Sequence, residues 1–137
     1  MVSKPGVLTL GPIVPEMKGV VGAMIEASCH CGAVRLEVDA PLTEVAECNC
    51  SICRRYGVLW AYYPLDQVRV LPPDPPTNIY MWNDRVIEFH HCRTCGCVSH
   101  WSPVDRRHNR MAVNARLMDP EILAGASVRY LDGANDE

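Results

Sequence analysis

Three cysteines fall within six residues of this chain, at Cys48, Cys50 and Cys53. Along an extended segment, a cysteine two residues further on points to the same side, and a third can return through a tight turn. The three sulfurs of this three-cysteine cluster can therefore converge on one metal ion. Nothing nearby in the sequence offers a fourth thiolate. Zinc held by three protein ligands keeps one coordination position open, which is typical of catalytic rather than structural zinc.

Two further cysteine pairs, Cys29 with Cys31 and Cys92 with Cys95, are far apart in the sequence. Each pair is followed directly by a glycine, which lets the backbone turn close to a metal ion. Together the pairs supply four sulfurs, and this four-cysteine cluster predicts a tetrahedral structural zinc site that closes the domain. Structural zinc contributes about 10 to 16 kcal/mol of apparent binding energy, whereas a whole domain is stable by only about 5 to 15 kcal/mol. We therefore expect no stable fold without this zinc.

Eight cysteines in a small chain are also compatible with four disulfides of a secreted domain. The first 24 residues, however, are interrupted by Pro5, Pro12 and Pro15, so they contain no continuous apolar stretch typical of a signal peptide. No apolar run approaches the length of a membrane span. We therefore expect a cytoplasmic protein with reduced thiols and no membrane partner.

The formal net charge of -3 argues against non-specific nucleic-acid binding, which depends on neutralising phosphates with Lys and Arg. The short basic group formed by Arg106, Arg107 and Arg110 does not reverse this balance. With 48% apolar and 21% charged residues, the composition is that of an ordinary folded domain.

Short segments in which apolar and polar residues alternate predict a mainly β protein with very little helix. Residues 1–25 are expected to form a loosely ordered arm, residues 26–132 the zinc-binding domain, and residues 133–137 a tail. We expect a short helical turn directly after Cys53 and a turn or short helix at 119–124. The predicted strands are 33–38, 44–47, 59–63, 67–71, 78–82, 85–91, 98–101, 111–114 and 128–131.

The three cysteine motifs resemble those of the glutathione-dependent formaldehyde-activating enzyme and centromere protein V family. The motifs are CHCGAVR at 29–35, CNCSICRR at 48–55 and CRTCGC at 92–97, and the resemblance extends to WAYY at 60–63 and RMAVNAR at 110–116. It implies a β-tent fold of short antiparallel sheets and two zinc ions per chain. The structural zinc would be bound by Cys29, Cys31, Cys92 and Cys95, and the catalytic zinc by Cys48, Cys50 and Cys53. The family label is carbon-sulfur lyase.

The resemblance and the open zinc position together predict a lyase that acts on an adduct of glutathione or another small thiol, such as S-hydroxymethylglutathione. Arg54 and Arg55, which directly follow a predicted ligand, are candidates to bind a substrate carboxylate. Asn49 and Trp60 are further candidate substrate-binding residues. Asn49 also has an alternative role, because its amide could orient the thiolates through hydrogen bonds.

Other interpretations of the same residues stay open. Cys97 or a histidine could complete the three-cysteine cluster as a fourth ligand and make it a second structural site, although core or surface positions are more common for such histidines. Trp60, Tyr62 and Tyr63 are compatible with core or pocket-wall positions. The alternative functions are a non-catalytic zinc scaffold for a protein or nucleic-acid partner and a zinc-thiolate redox or metal sensor.

Overall fold

A computed structural model describes residues 24–136, which form ten β-strands and two short α-helices. The strands are β1 (Met24–Ser28), β2 (Arg35–Asp39), β3 (Glu44–Cys48), β4 (Trp60–Tyr63), β5 (Val68–Leu71), β6 (Thr77–Tyr80), β7 (Ile87–Cys92), β8 (Val98–Pro103), β9 (Met111–Asn114) and β10 (Ser127–Leu131). The helices are α1 (Ser51–Tyr56) and α2 (Pro120–Ala124). The predicted mainly β class with very little helix is confirmed.

The strands form two sheets. A three-stranded antiparallel sheet has the order β1-β2-β5, and a seven-stranded sheet has the order β10-β3-β4-β9-β8-β7-β6. Within the larger sheet only the pairing of β10 with β3 is parallel. None of the helices within residues 24–136 is long and apolar enough to cross a membrane.

The small sheet packs on one face of the large sheet, and its central strand β2 alternates strictly between polar and apolar residues. In β2, Leu36 and Val38 are fully buried, whereas Arg35 is exposed. They pack in one hydrophobic cluster with Val45 of β3 and Val113 of β9. The hydrophobic core of the protein therefore lies between the two sheets.

Strand β1 begins two residues before the predicted domain boundary. Its sequence, MIEAS, buries Ile25 and Ala27 and exposes Met24, Glu26 and Ser28. This alternation was hidden in the sequence because it directly follows the proline-interrupted segment that we grouped as an arm. Residues 1–23 of that predicted arm lie outside the described residues.

The opposite face of the large sheet carries a second apolar cluster. Because successive side chains of a strand point to opposite faces, Ala46, Trp60 and Ala112 lie on this second face, whereas their neighbours Val45, Ala61 and Val113 lie in the main core. Cys53 and Phe89 pack in the same second cluster. The second face of the sheet therefore supports the three-cysteine cluster.

We expect Val38→Ala to destabilise the protein by about 2 kcal/mol, because a fully buried valine side chain loses its contacts between the sheets. The same substitution in β10, Val128→Ala, is the matched control, because Val128 is 42% exposed and surface changes stay within about 0.5 kcal/mol. Urea unfolding at a fixed zinc concentration measures both. Equal losses in the two variants would contradict the assigned core.

Candidate functional site

The three-cysteine cluster forms where β3 passes into α1. Cys48 is the last residue of β3, Cys50 is the N-cap of α1, and Cys53 lies in the first turn of that helix. The Sγ atoms of all three lie within 4.8 Å of one another. The backbone N–H of Cys53 donates to the Sγ of Cys50 at 3.4 Å, so the helical turn itself brings these two residues together. The tight turn that the spacing predicts is the first turn of α1.

The buried sulfur of this cluster, that of Cys53, has an aromatic hydrogen-bond donor. The indole N–H of Trp60 donates to the Sγ of Cys53 at 3.3 Å, and Trp60 is itself only 2% exposed. Burial raises the pKa of the Cys53 thiol, although the hydrogen bond from Trp60 acts in the opposite direction. A bound cation would favour the thiolate form of such a group, and the three sulfurs offer the soft ligands that Zn²⁺ prefers.

The remaining two sulfurs differ in their surroundings. Burial raises the pKa of Cys48. Burial also acts to raise the pKa of Cys50, but hydrogen bonds from the backbone and thiol of Cys53 outweigh it and lower that pKa below its usual value. The N-cap position therefore gives Cys50 the most readily ionised thiol of the cluster.

The four-cysteine cluster joins the loop between β1 and β2 to the loop between β7 and β8. Its four Sγ atoms lie within 4.8 Å of one another, with Cys31 at 3.7 Å from Cys29 and 3.6 Å from Cys92. Backbone N–H groups donate to two of these sulfurs, from Val34 to Cys29 at 3.3 Å and from Thr94 to Cys92 at 3.4 Å. Four sulfurs with such amide donors fit a tetrahedral Zn²⁺ site.

The chain turns tightly at Gly96, where φ is +80°, a value that favours glycine. The backbone N–H of Gly96 donates to the carbonyl oxygen of Cys92 at 2.9 Å. Hydrogen bonds from the backbone of Cys97 and then of Cys31, aided by hydrogen bonds with the thiols of Cys29 and Cys97, lower the pKa of Cys95 to about 5. This turn therefore favours a thiolate at Cys95.

Cys97 and the histidines join neither cluster within residues 24–136. Cys97 lies in the wall of a separate cavity of about 710 Å³, together with Arg55. His90 and His100 are buried and stacked, with ring centroids 4.1 Å apart, and burial lowers the pKa of His100 to about 3. The described residues thus place no fourth His, Cys, Asp or Glu ligand with the three-cysteine cluster.

The C-terminal segment, residues 131–136, folds back onto the loop that carries the cluster. The backbone N–H of Asn49 donates to the carbonyl oxygen of Leu131 at 3.1 Å. The side-chain amide of Asn49 donates to Oδ1 of Asp132 at 2.9 Å, and its Oδ1 accepts from the backbone N–H of Ala134 at 2.9 Å. Asn49 therefore links the C-terminal segment to the loop through these three hydrogen bonds. Its side chain makes no hydrogen bond to a thiol within the described residues.

Gly133 brings this segment into direct contact with the cluster. A Cβ atom at this position would lie 2.6 Å from the Sγ of Cys48 and 3.1 Å from the Cβ of Cys50. Real Cβ atoms essentially never approach heavy atoms as closely as the first of these distances. Only glycine fits here without displacing either the segment or a candidate metal ligand.

Two clefts open beside the three-cysteine cluster, and Cys48 and Cys53 line both of them. The first, which we call the polar cleft, has a volume of about 310 Å³. Its charged lining residues are Glu47, Arg54, Arg116 and Asp132. The second, which we call the aromatic pocket, has a volume of about 250 Å³ and is lined by all three cysteines of the cluster. Its other apolar and aromatic lining residues are Ile52, Trp60, Tyr62, Trp82, Ile87, Phe89 and Trp101.

The predicted substrate-binding residues occupy different places. Arg54 lies in the polar cleft, whereas Arg55 donates to the carbonyl oxygen of Ser51 at 2.8 Å and lines the separate cavity of Cys97. Trp60 forms part of the aromatic pocket. Sequence reasoning missed Arg116 in the polar cleft and Trp101 in the aromatic pocket. No local pattern identified either residue, because both reach the site through the order of strands in the large sheet.

We expect Gly133→Ala to weaken Zn²⁺ binding at the three-cysteine cluster at least about tenfold, or roughly 1.4 kcal/mol, because the new methyl group displaces Cys48 or the segment against it. Competition with a chromophoric chelator measures this affinity. Gly125→Ala is the matched control, because its Cβ would meet no atom closer than 3.7 Å. Equal zinc affinity in the two variants would show that the contact at Gly133 is not needed.

Known proteins share both the sequence pattern and the fold. A crystal structure of a Rhodobacter sphaeroides protein, a Northeast Structural Genomics target, is 28% identical to this chain with a TM-score of 0.63, and the alignment covers 76% of this chain and 99% of that one. The family model described as glutathione-dependent formaldehyde-activating enzyme matches residues 24–128, which include both cysteine clusters. The chain therefore belongs to the glutathione-dependent formaldehyde-activating enzyme family.

Proposed function

We propose that this protein is a zinc-dependent carbon-sulfur lyase that acts on a small-thiol adduct such as S-hydroxymethylglutathione. The observation that carries the proposal is the three-cysteine cluster, whose sulfurs converge beside two clefts with no fourth protein ligand among the described residues. The family is associated with glutathione and formaldehyde chemistry. A site with three protein ligands is suited to catalysis because it can accept a ligand from the substrate.

The two clusters support a content of two zinc ions per chain. Cys29, Cys31, Cys92 and Cys95 would hold the structural ion, and the three-cysteine cluster would hold the catalytic one. When bound there, zinc would supply a Lewis acid that stabilises the thiolate of the substrate. The amide and indole donors around the sulfurs would orient these ligands and moderate their charge.

The polar cleft is where we place the peptide part of glutathione, because it contains two guanidinium groups. Arg116 uses its Nε to donate to the carbonyl oxygen of Gly57 at 2.6 Å, and its terminal nitrogens make no hydrogen bond within the described residues. This hydrogen bond anchors Arg116 between the polar cleft and the cavity of Cys97, both of which it lines. From there its guanidinium could pair with a carboxylate in the polar cleft, and Arg54 offers a second partner. Arg55 lines the cavity of Cys97 and not the polar cleft, so the proposal rests on Arg54 and Arg116.

The lyase reaction also needs a group that accepts a proton. As the carbon-sulfur bond breaks, its electron pair goes to sulfur, the hydroxyl proton leaves, and the carbonyl group of the aldehyde forms. Glu47 and Asp132 are the carboxylates that line the polar cleft. Asp132 already accepts hydrogen bonds from Asn49 and Asn135, so Glu47 is the better candidate for the base.

We expect the two clusters to differ when mutated. Cys50→Ser should retain the fold and lose about one zinc per chain, because serine also serves as an N-cap of α1. Cys92→Ser should prevent stable folding, because the structural zinc contributes about 10 to 16 kcal/mol. Cys97→Ser is the control and should retain both zinc ions, since Cys97 joins neither cluster.

Elemental analysis with circular dichroism measures these outcomes. Unfolding of Cys50→Ser as severe as that of Cys92→Ser would make the three-cysteine cluster structural and would favour a non-catalytic scaffold. Loss of zinc from Cys97→Ser would make that residue a ligand.

We expect the zinc-loaded protein to bind reduced glutathione through its sulfur. S-methylglutathione, which cannot supply a thiolate, should bind at least about tenfold more weakly, which corresponds to roughly 1.4 kcal/mol. Isothermal titration calorimetry compares the two ligands, and Cys50→Ser should remove the difference. Equal affinity of the intact protein for the thiol and the thioether would argue against sulfur binding at the cluster.

A further inference from the structure

The aromatic pocket concentrates most of the large aromatic side chains of the chain beside the three-cysteine cluster. All three tryptophans and the one phenylalanine of the sequence line it, although aromatic residues make up only 7% of the chain. Trp60 and Phe89 are 2% and 3% exposed and pack with their ring centroids 6.2 Å apart. Trp82 and Trp101 are only partly buried. The core therefore leaves part of each of these two rings uncovered, and both rings line the pocket with apolar surface.

The charges around the pocket do not suit a peptide with two carboxylates. Asp84 is the carboxylate among the lining residues, and no Lys or Arg lines the pocket within the described residues. The guanidinium of Arg110 stacks on the ring of Tyr62, a residue of the pocket wall, with its Cζ at 4.1 Å from the ring centroid. The pocket therefore disfavours the carboxylates of glutathione, whereas the polar cleft offers Arg54 and Arg116.

The pocket and the polar cleft meet at the sulfurs of Cys48 and Cys53. In a substrate held by its sulfur at the cluster, with its peptide in the polar cleft, the carbon attached to that sulfur would direct its remaining substituent toward the aromatic pocket. The hydroxyl on the same carbon would stay on the side of the polar cleft, where Glu47 lies. In a formaldehyde adduct this carbon carries only hydrogen and hydroxyl, which leaves most of the 250 Å³ unfilled. An apolar cavity of about 150 Å³ is already large enough to hold benzene.

We propose that the aromatic pocket binds an apolar, ring-sized group on the reacting carbon, so that the preferred substrates are glutathione adducts of aromatic or similarly bulky aldehydes. This inference rests on the proposed binding of the substrate sulfur at the three-cysteine cluster. Flat aromatic groups fit because the walls of the pocket are indole and phenyl rings, which favour offset or edge-to-face packing. The pocket thus selects the aldehyde half of the adduct, and the polar cleft selects the thiol half.

Two stable thioethers test the pocket by calorimetry on the zinc-loaded protein. S-benzylglutathione and S-methylglutathione share the peptide and differ only in the group that would enter the pocket. We expect S-benzylglutathione to bind at least about tenfold more tightly, which corresponds to roughly 1.4 kcal/mol. Trp101→Ala and, independently, Trp82→Ala should each reduce this ratio, while the affinity for reduced glutathione stays unchanged.

Tyr80→Ala is the control variant, because this tyrosine is 47% exposed and lines the cavity of Cys97 instead. It should keep the full benzyl preference. Zinc content and circular dichroism identify any variant that does not fold. If Trp101→Ala is unstable, Trp82→Ala still tests the pocket, because Trp82 lies outside the strands.

The outcomes separate this inference from the proposed function. Equal affinity for the two thioethers, with glutathione still bound through sulfur, overturns the aromatic pocket and leaves the proposed function standing. A benzyl preference that survives both tryptophan substitutions also overturns the inference, because the ring then binds elsewhere. Failure of all three ligands to bind overturns both.

Discussion

The alternation of side chains along β3, β4 and β9 is the constraint on which the rest of the structure depends. Neighbouring residues such as Val45 and Ala46, or Ala61 and Trp60, lie on opposite faces of the large sheet. One face packs against the small sheet and forms the core, and the other holds Cys53 and the aromatic side chains. A one-residue shift in register would exchange the two faces and remove the support of the cluster.

The two cysteine clusters could be anticipated from the sequence because their geometry is mainly local. The separation of Cys48, Cys50 and Cys53 requires only the end of a strand and the first turn of a helix, and the structure provides both. The pairing of Cys29 with Cys92 is not local, but four sulfurs separated by suitable spacings have few other uses in a chain with reduced thiols. The β class was equally accessible, because alternation within short segments identifies most strands.

The clefts could not be anticipated, because they depend on which strands are neighbours. Trp60 of β4 and Trp101 of β8 share a pocket only because β9 lies between their strands in the large sheet. The register pairs Trp101 with Ala112, a side chain small enough to leave room above the sheet. The contact of Gly133 with Cys48 was hidden for a similar reason, since it arises only after parallel pairing of β10 with β3 returns the end of the chain to the cluster.

The parallel pairing of β10 with β3 also explains why the cluster is held from two directions. It places Leu131 beside Cys48. The residues that follow then cross the loop that carries the three-cysteine cluster, where Asp132 and Ala134 form hydrogen bonds with Asn49. On the other side, Trp60 fixes the sulfur of Cys53 from within the apolar face. Because four charged side chains line the polar cleft and five aromatic rings line the aromatic pocket, the space beside the sulfurs has two chemically different walls. A sulfur-bound adduct with one charged half and one apolar half matches both walls, whereas a ligand of uniform polarity matches only one.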